Sequence, residues 1–366
     1  MIMFKQIVRR LVPLLLLSSV LLAGCTLPSF SSPLSPVSSP PTPTPLPRTF
    51  DGELAHQWVT RQCDLGYRIT GTEGNRQAGD MISDALRDQG WEVYEQKFIY
   101  KETPVRNILA WKGTGPAVLL GAHYDTRRAA DEEDPSVPVM GANDGASGVA
   151  VLLELARALD VDAVEQRVYL AFFDAEDNGR LDGWDWIVGS TYMAEHWGEA
   201  GEPPLEAMVL VDMIGDADQQ VYYERNSDPA LSAQLWGIAG QLGYGERIIP
   251  QAKYAMEDDH IPFVRRGIPS VDMIDFDYPY WHTTQDTPDK VSAESLEAIG
   301  RTLEVWLEKR GSLGFRMVKP KSTANPSETH DRWREFTRKN KKKSVQAVRS
   351  VGRQCPLIRG EKFTSR

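Results

Sequence analysis

The chain has 366 residues, 41% of them apolar and 9% aromatic, which suffices for one large α/β domain with tails or for two ordinary domains. Three cysteines cannot build a disulfide framework, so packing must hold the fold together. The net charge is −10 although residues 311–366 carry fifteen basic and four acidic residues, so the body of the chain is acidic and lacks the charge balance of a nucleic-acid enzyme.

The first 25 residues have the pattern of an export signal. Three basic residues precede an apolar run at 11–22, which is short for a transmembrane helix. The run ends at Ala23-Gly24-Cys25, which resembles a bacterial lipobox. We therefore predict a lipoprotein signal peptide over 1–25, a lipid on Cys25 and an extracytoplasmic protein anchored to a bacterial cell membrane. An ordinary cleaved signal peptide with a chance cysteine is the alternative.

Two further segments have compositions that do not support a packed core. Residues 26–48 are rich in Pro, Ser and Thr and nearly uncharged, which predicts an extended tether. Residues 313–366 are basic and show little apolar periodicity, which predicts a mostly disordered tail. The folded domain is therefore expected at 49–312.

Hydrophobic periodicity in this domain predicts alternating helices and strands. In chain order, these are helices at 51–65 and 75–89, strands at 91–100, 107–111 and 117–120, a helix at 149–159, strands at 168–173 and 208–211, a helix at 230–242, a strand at 269–274 and a helix at 293–309. We predict a single α/β domain with a mostly parallel central sheet sandwiched by helices. The continuously apolar strand at 117–120 is expected at its centre.

Polar residues capable of binding metal follow the predicted strands, at the edge where open α/β sheets bind ligands. They are His123 with Asp125, Asp144 in a loop of small residues, Glu176 with Asp177, Asp212, and His282. Asp125 is near enough to orient the His123 imidazole through its second ring nitrogen. The adjacent carboxylates of Glu176 and Asp177 repel each other unless a cation or a proton lies between them. Each feature alone has a plainer structural explanation, but their order favours zinc-assisted peptide chemistry.

Residues from about 71 to 307 resemble zinc metallopeptidase family 28, which contains aminopeptidases and glutaminyl-peptide cyclotransferases. The resemblance to the aminopeptidases implies two zinc ions bridged by Asp144, one held also by His123 and Asp212 and the other by Asp177 and His282. It implies Glu176 as the general base. The family often has Glu where Asp177 stands, and Asp is one methylene shorter.

Several stretches are more similar to the cyclotransferase branch, namely 172–177, 257–263 and 281–283. That branch implies one zinc held by Asp144, Asp177 and His282, with Glu176 shuttling a proton from the α-amine to the departing ammonia. It further implies that Asp212 and Asp258 tune the shuttle by hydrogen bonding, with Asp259 as the other candidate, and that Trp281 lines the pocket. Because His123 and Asp212 are both present in this sequence, a second zinc is permitted.

The sequence thus predicts a zinc enzyme acting on peptide N-termini, with glutaminyl cyclisation favoured over aminopeptidase activity. A non-catalytic lipoprotein scaffold is the alternative of another class, and Glu176 discriminates against it because a scaffold needs no acid beside a metal ligand. Trp184 and Trp186 could either cover the core or line the pocket.

Overall fold

The computed structural model describes residues 49–309. Within this range the chain forms seven α-helices and eight strands. The helices are α1 Gly52–Asp64, α2 Glu73–Asp88, α3 Ala146–Ala158, α4 Val188–His196, α5 Pro229–Gln241, α6 Ile261–Arg265 and α7 Ala293–Lys309. The strands are β1 Glu92–Tyr100, β2 Thr103–Lys112, β3 Ala117–His123, β4 Arg167–Phe173, β5 Leu205–Asp212, β6 Val221–Tyr223, β7 Ile248–Ala252 and β8 Ser270–Ile274. The predicted signal peptide, Cys25, the tether and the basic tail lie outside the described residues.

Six strands form one mixed sheet in the order β1-β2-β4-β3-β5-β8. The pairs β4-β3, β3-β5 and β5-β8 are parallel, whereas β1-β2 and β2-β4 are antiparallel. The predicted α/β class with a mostly parallel sheet is confirmed, and the first two strands add an antiparallel hairpin to one side. β3 lies inside the sheet, and all seven of its residues are buried.

The sheet separates two hydrophobic cores because successive strand side chains point to opposite faces. On β3, Val118 and Leu120 join a core that includes residues of α1, α2, α3, α5 and α7. Leu119 joins the other core, with Met193 of α4 and Phe263 of α6. The helices therefore cover both faces, as the sequence predicts.

The helix N-termini follow from their capping residues. The carboxylate of Asp51 and the hydroxyl of Thr72 accept backbone N–H groups at the starts of α1 and α2. α3 has no such side-chain cap and follows Gly145, whose φ of 92° suits glycine. A Cβ at Gly145 would lie 3.0 Å from His123 Cε1, so glycine lets the start of α3 approach this histidine closely.

Four short elements were not predicted, namely α4, α6, β6 and β7. No helix within residues 49–309 has the length and apolar character needed to cross a membrane.

Candidate metal centre and active site

The strand ends bring the predicted metal-binding residues together at one edge of the sheet. β3 ends at His123 and β5 at Asp212, while Asp177 follows β4. The loops before α3 and after β8 supply Asp144 and His282. Among the described residues, two groups of three could hold a metal ion, and both contain Asp144. They are His123, Asp144 and Asp212, and Asp144, Asp177 and His282, all buried.

The first group is centred on the His123 imidazole. Its Nε2 lies 3.1 Å from Asp144 Oδ1 and 3.2 Å from Asp212 Oδ1, and its Nδ1 lies 3.6 Å from Asp125 Oδ1. Burial alone would lower the pKa of His123, but the three surrounding carboxylates raise it well above its usual value. This environment favours a positive charge at the place where a cation would also be stabilised.

The second group is centred on His282. Its Nε2 lies 3.1 Å from Asp177 Oδ1 and 3.7 Å from Asp144 Oδ2. Its Nδ1 lies 3.2 Å from Asp131 Oδ1, a contact that the sequence does not predict. Arg127 holds Asp131 in place with two hydrogen bonds of 2.6 Å. The same guanidinium donates to the backbone carbonyl of Asp177 at 2.7 Å. Arg127 therefore connects Asp131, the partner of His282, with the backbone of Asp177.

Asp125 fixes the turn that presents the adjacent carboxylates. Its two oxygens accept the backbone N–H groups of Glu176 and Asp177 at 3.1 and 3.2 Å. Ala175, just before them, has a φ of 60°, so the chain turns sharply after β4. Asp125 therefore lies beside His123 and also orders the loop carrying Glu176.

Asp286 orders the loop that carries Asp144 in the same way. Its carboxylate accepts the backbone N–H groups of Asn143 and Asp144 at 2.8 and 3.1 Å and the Tyr278 hydroxyl at 2.7 Å. Burial and the nearby Asp144 charge raise the pKa of Asp286 to about 7. In the sequence, Asp286 resembles a simple loop residue before the last helix, and no local pattern marks it as part of the site.

A second set of carboxyl groups lies beside the metal-binding groups. Glu176 is 9% exposed, and burial raises its pKa well above the usual value; Asp177, Asp258 and Asp259 raise it further, against an opposing effect of His123. Asp258 is also buried, and burial together with Asp212 raises its pKa to about 7. Burial therefore shifts both carboxyls toward the protonated form, beside the residues that could hold a metal ion.

Aromatic rings cover the second group. The Trp281 ring stacks on His282 with centroids 3.7 Å apart, and the Trp186 ring lies nearly parallel to the same imidazole at 6.0 Å. Trp184 instead packs edge-on against Tyr100, away from the histidine. Of the two tryptophans, Trp186 therefore lies next to the candidate site, whereas Trp184 packs against a separate apolar cluster.

The residues present fit a divalent metal ion. Asp144 Oδ2 and Asp177 Oδ2 are buried and have no hydrogen-bond donor among the described residues. Buried carboxylate oxygens without partners are costly, and a cation shared between them removes that cost. A donor set of imidazole nitrogens and carboxylate oxygens suits zinc.

The α/β sheet and the paired groups at its carboxyl edge define an enzyme of the metallopeptidase type. Residues 107–307 match the peptidase family M28, and the chain belongs to that family.

Relatives within the family carry more specific names. The chain is 28% identical over 283 residues to the glutaminyl-peptide cyclotransferase-like protein of Bos taurus, an alignment covering 66% of this chain and 72% of that protein. Among solved structures, it is 33% identical to Porphyromonas gingivalis glutaminyl cyclase, with a TM-score of 0.68 over 71% of this chain and 99% of that one. It is 31% identical to a Zn-dependent exopeptidase from Parabacteroides distasonis, with a TM-score of 0.67 over 72% and 99%.

Proposed function

We propose that the protein is a zinc-dependent glutaminyl-peptide cyclotransferase, which converts N-terminal glutamine of peptides to pyroglutamate and releases ammonia. The similarity to named cyclotransferases supports this activity. The observation that carries it is the position of Glu176, a buried carboxyl of raised pKa, directly before metal-binding Asp177.

Asp144, Asp177 and His282 are the residues proposed to hold the catalytic zinc, with Asp131 and Arg127 orienting them. A zinc ion bound there would act as a Lewis acid on the side-chain carbonyl of the substrate glutamine. His123 and Asp212, which share Asp144 with this group, are proposed as ligands of a second ion when one is bound.

The chain's own residues move the protons. The α-amine nitrogen of the substrate attacks the side-chain carbonyl carbon, and the bond to the amide nitrogen breaks. Glu176 takes a proton from the attacking amine and delivers it to the departing nitrogen, which leaves as ammonia. A group that must accept and then donate a proton works best when its pKa is above that of an ordinary carboxyl, and burial raises the pKa of Glu176 in this direction.

The neighbours of Glu176 have supporting roles in this proposal. Asp212 and Asp258 are proposed to tune the shuttle when substrate is bound, and Asp258, whose charge raises the pKa of Glu176 and whose own pKa is about 7, can itself carry a proton. Trp281, stacked on His282, forms a wall that excludes water from the amide.

Aminopeptidase activity is the second candidate. The complete His123–Asp144–Asp212 group and the similarity to a Zn-dependent exopeptidase favour it. In that case Glu176 would take its proton from a water molecule, and the peptide bond after the first residue would break. A non-catalytic scaffold is disfavoured because Glu176 and both metal-binding groups are intact.

The proposed location is extracytoplasmic, with a lipid on Cys25 anchoring the protein to a bacterial cell membrane. The support is the basic, apolar and small-residue order of residues 1–25. Metabolic labelling with a fatty acid, lost in Cys25→Ser, tests it.

The test of activity uses the purified, zinc-loaded protein with a Gln-initiated and a Leu-initiated peptide. Mass spectrometry should show the Gln peptide losing the mass of one ammonia, with about one zinc per chain. Release of free leucine, with about two zinc ions per chain, would support the aminopeptidase instead. A metal-loaded protein that forms neither product would count against both.

A further inference from the structure

The first strand of the main sheet leaves one edge of that sheet open. β1 pairs with β2 on one side and with no other strand among the described residues. None of its nine residues is buried, and Tyr94 and Ile99 are 44% and 68% exposed. The opposite edge differs, because all five residues of β8 are buried. Within the described domain, β1 is therefore the edge strand available for pairing with another chain.

This edge has little of the protection that proteins usually give to an open strand. β1 is nine residues long, contains no proline and pairs with β2 without a bulge. Lys97 is its only basic residue, and the side chain is 67% exposed. A lysine on an edge strand discourages pairing with another strand unless an acidic residue lies opposite it.

The hairpin turn determines which backbone groups of β1 face the open edge. Lys101 and Glu102 form a two-residue turn, so Tyr100 and Thr103, which flank it, form a hydrogen-bonded pair. Because such pairs alternate along antiparallel strands, the even-numbered residues of β1 bond to β2. The N–H and C=O groups of the odd-numbered residues between 93 and 99 therefore point toward the open edge.

These outward groups match a second, antiparallel copy of β1 in one particular register. When Gln96 lies opposite Gln96 of the second copy, the odd-numbered residues of the two strands form hydrogen-bonded pairs with each other. Glu95 then lies opposite Lys97 of the second copy, and Lys97 lies opposite Glu95 of the second copy. A shift of two residues in either direction would instead place Glu95 opposite Glu95 or Lys97 opposite Lys97. Charge complementarity therefore selects the register centred on Gln96.

The same register pairs apolar side chains on both faces of the strand. Val93 lies opposite Ile99 of the second copy on one face, and Tyr94 lies opposite Phe98 on the other. Ile99 and Tyr94 are the most exposed large hydrophobic residues among those described. Pairing in this register would therefore bring both of them into contact with apolar partners.

Glu95 is already held in place by its own chain. Its carboxylate oxygens lie 3.1 Å from an Arg87 nitrogen, 3.4 Å from an Arg106 nitrogen and 2.9 Å from Lys97 Nζ. The Glu95 side chain is only 20% exposed. A lysine of a second copy would therefore meet an acid that loses little further conformational entropy on pairing.

We propose that β1 is a dimerisation surface, on which a second copy of the chain adds its own β1 in antiparallel orientation. The two six-stranded sheets then become one continuous sheet. The dimer is closed, because the pairing uses the open edge of each described domain and β8 is buried at the other edge. This inference goes beyond the proposed catalytic function and does not depend on it.

The test is analytical ultracentrifugation of the purified protein at concentrations from about 1 µM to about 500 µM. The wild type should approach the mass of two chains and should not exceed it. Lys97→Glu should weaken the dimer by roughly 10-fold or more, because two Glu–Lys pairs become two Glu–Glu pairs. A wild type that stays monomeric, or that grows beyond two chains, would overturn the proposal.

Arg266→Glu is the matched control. It makes the same change in charge at an exposed position just after α6, and it should dimerise like the wild type. Glu95→Lys should also weaken self-association. An equal mixture of Glu95→Lys and Lys97→Glu should regain the wild-type affinity within about 3-fold, because each pair across the strands again joins an acid to a lysine. A mixture that stays monomeric would contradict the proposed pairing.

Lys97→Pro tests the backbone contacts and serves if Glu95→Lys does not fold. The Lys97 nitrogen faces the open edge, so proline removes a hydrogen bond to the second copy and none to β2. This variant should stay monomeric over the same range of concentrations and keep the circular dichroism spectrum of the wild type. A dimer of unchanged affinity would show that another surface associates, which would overturn the assignment to β1.

Discussion

Both histidines of the candidate metal centre have a carboxylate at the ring nitrogen that faces away from the cluster. Asp125 lies beside Nδ1 of His123, and Asp131 beside Nδ1 of His282. Such partners set the orientation and basicity of an imidazole ligand. Asp125 could be predicted because it stands two residues after its histidine. Asp131 lies in a loop far from His282 in the sequence, so only the folded structure brings the two together.

Glu176→Gln should retain bound zinc and lose turnover by roughly 10² to 10⁴-fold, because the amide cannot accept and return a proton. Zinc content and kcat are measured on the same sample. Glu206→Gln, an exposed change early in β5, serves as the control. A fully active Glu176→Gln would remove Glu176 from the proton shuttle.

Asp131→Ala should weaken zinc binding by roughly 10- to 100-fold, because His282 loses the carboxylate that orients it. Competition with a chelator measures the affinity. Asp134→Ala is the control, since that exposed carboxylate only accepts hydrogen bonds from Ser136 nearby. Equal zinc affinity in both variants would mean that Asp131 serves Arg127 alone.

At the scale of elements, long periodic segments were predictable and short ones were not. α2 and α7 carry clear apolar stripes and end close to the predicted residues. α4 follows Ile187 in a left-handed conformation and lacks a capping side chain, so no N-terminal signal marks it. β6 has only three residues, too few for an alternating pattern to be recognised.

The antiparallel pairing of β1 and β2 also could not be predicted from the sequence. Lys101 and Glu102 form its two-residue turn with φ values of 45° and 66°. Tight hairpin turns of this kind usually contain Asn, Asp or Gly, and their absence hid the antiparallel direction of these strands.

Two helical glycines should respond oppositely to alanine. Gly148 of α3 lies against the sheet, where a Cβ would be 2.3 Å from the Val211 carbonyl oxygen and 2.9 Å from Ala122 Cβ. Gly148→Ala should lower the free energy of unfolding by roughly 1–3 kcal/mol through overpacking.

Gly237 of α5 is exposed, and nothing lies within 4 Å of its added Cβ. Gly237→Ala should therefore raise the free energy of unfolding by roughly 0.5–1 kcal/mol, since alanine favours the helix. Urea denaturation of the two variants decides the matter, and a change of the same sign in both would refute the packing argument for α3.

At the scale of the whole molecule, some of the acidic residues that give the body of the chain its negative charge are buried. Asp174, which follows β4, is buried and accepts hydrogen bonds from Thr70, Asn75 and the backbone N–H of Arg106. Burial and the nearby Asp125 charge nevertheless raise the pKa of Asp174 to about 7. No sequence pattern distinguishes such a buried acid from a surface one.

The pKa of Asp174 ties stability to pH. The folded state holds this proton up to a pH of about 7, whereas the unfolded chain releases it near the usual value of 3.8. Since the folded state binds more protons within this window, the contribution of Asp174 to stability should fall as the pH rises from 4 to 7.

Asp174→Asn has no titratable group at this position, so its stability should lack this dependence on pH. Relative to the variant, the wild type should lose on the order of a few kcal/mol of unfolding free energy between pH 4 and pH 7. Urea melts at several pH values measure the difference. A constant difference would show that Asp174 is ionised throughout.

The two ends of the described domain meet on the side away from the candidate active site. The Phe50 N–H donates to both carboxylate oxygens of Glu304 at 3.2 and 3.3 Å, near the end of α7. The N–H of Asp51 donates to Glu154, about 12 Å along α3 from the end of the helix that follows Asp144. A tag, fusion partner or immobilising surface joined at either end would therefore leave the cleft facing outward and open to peptides.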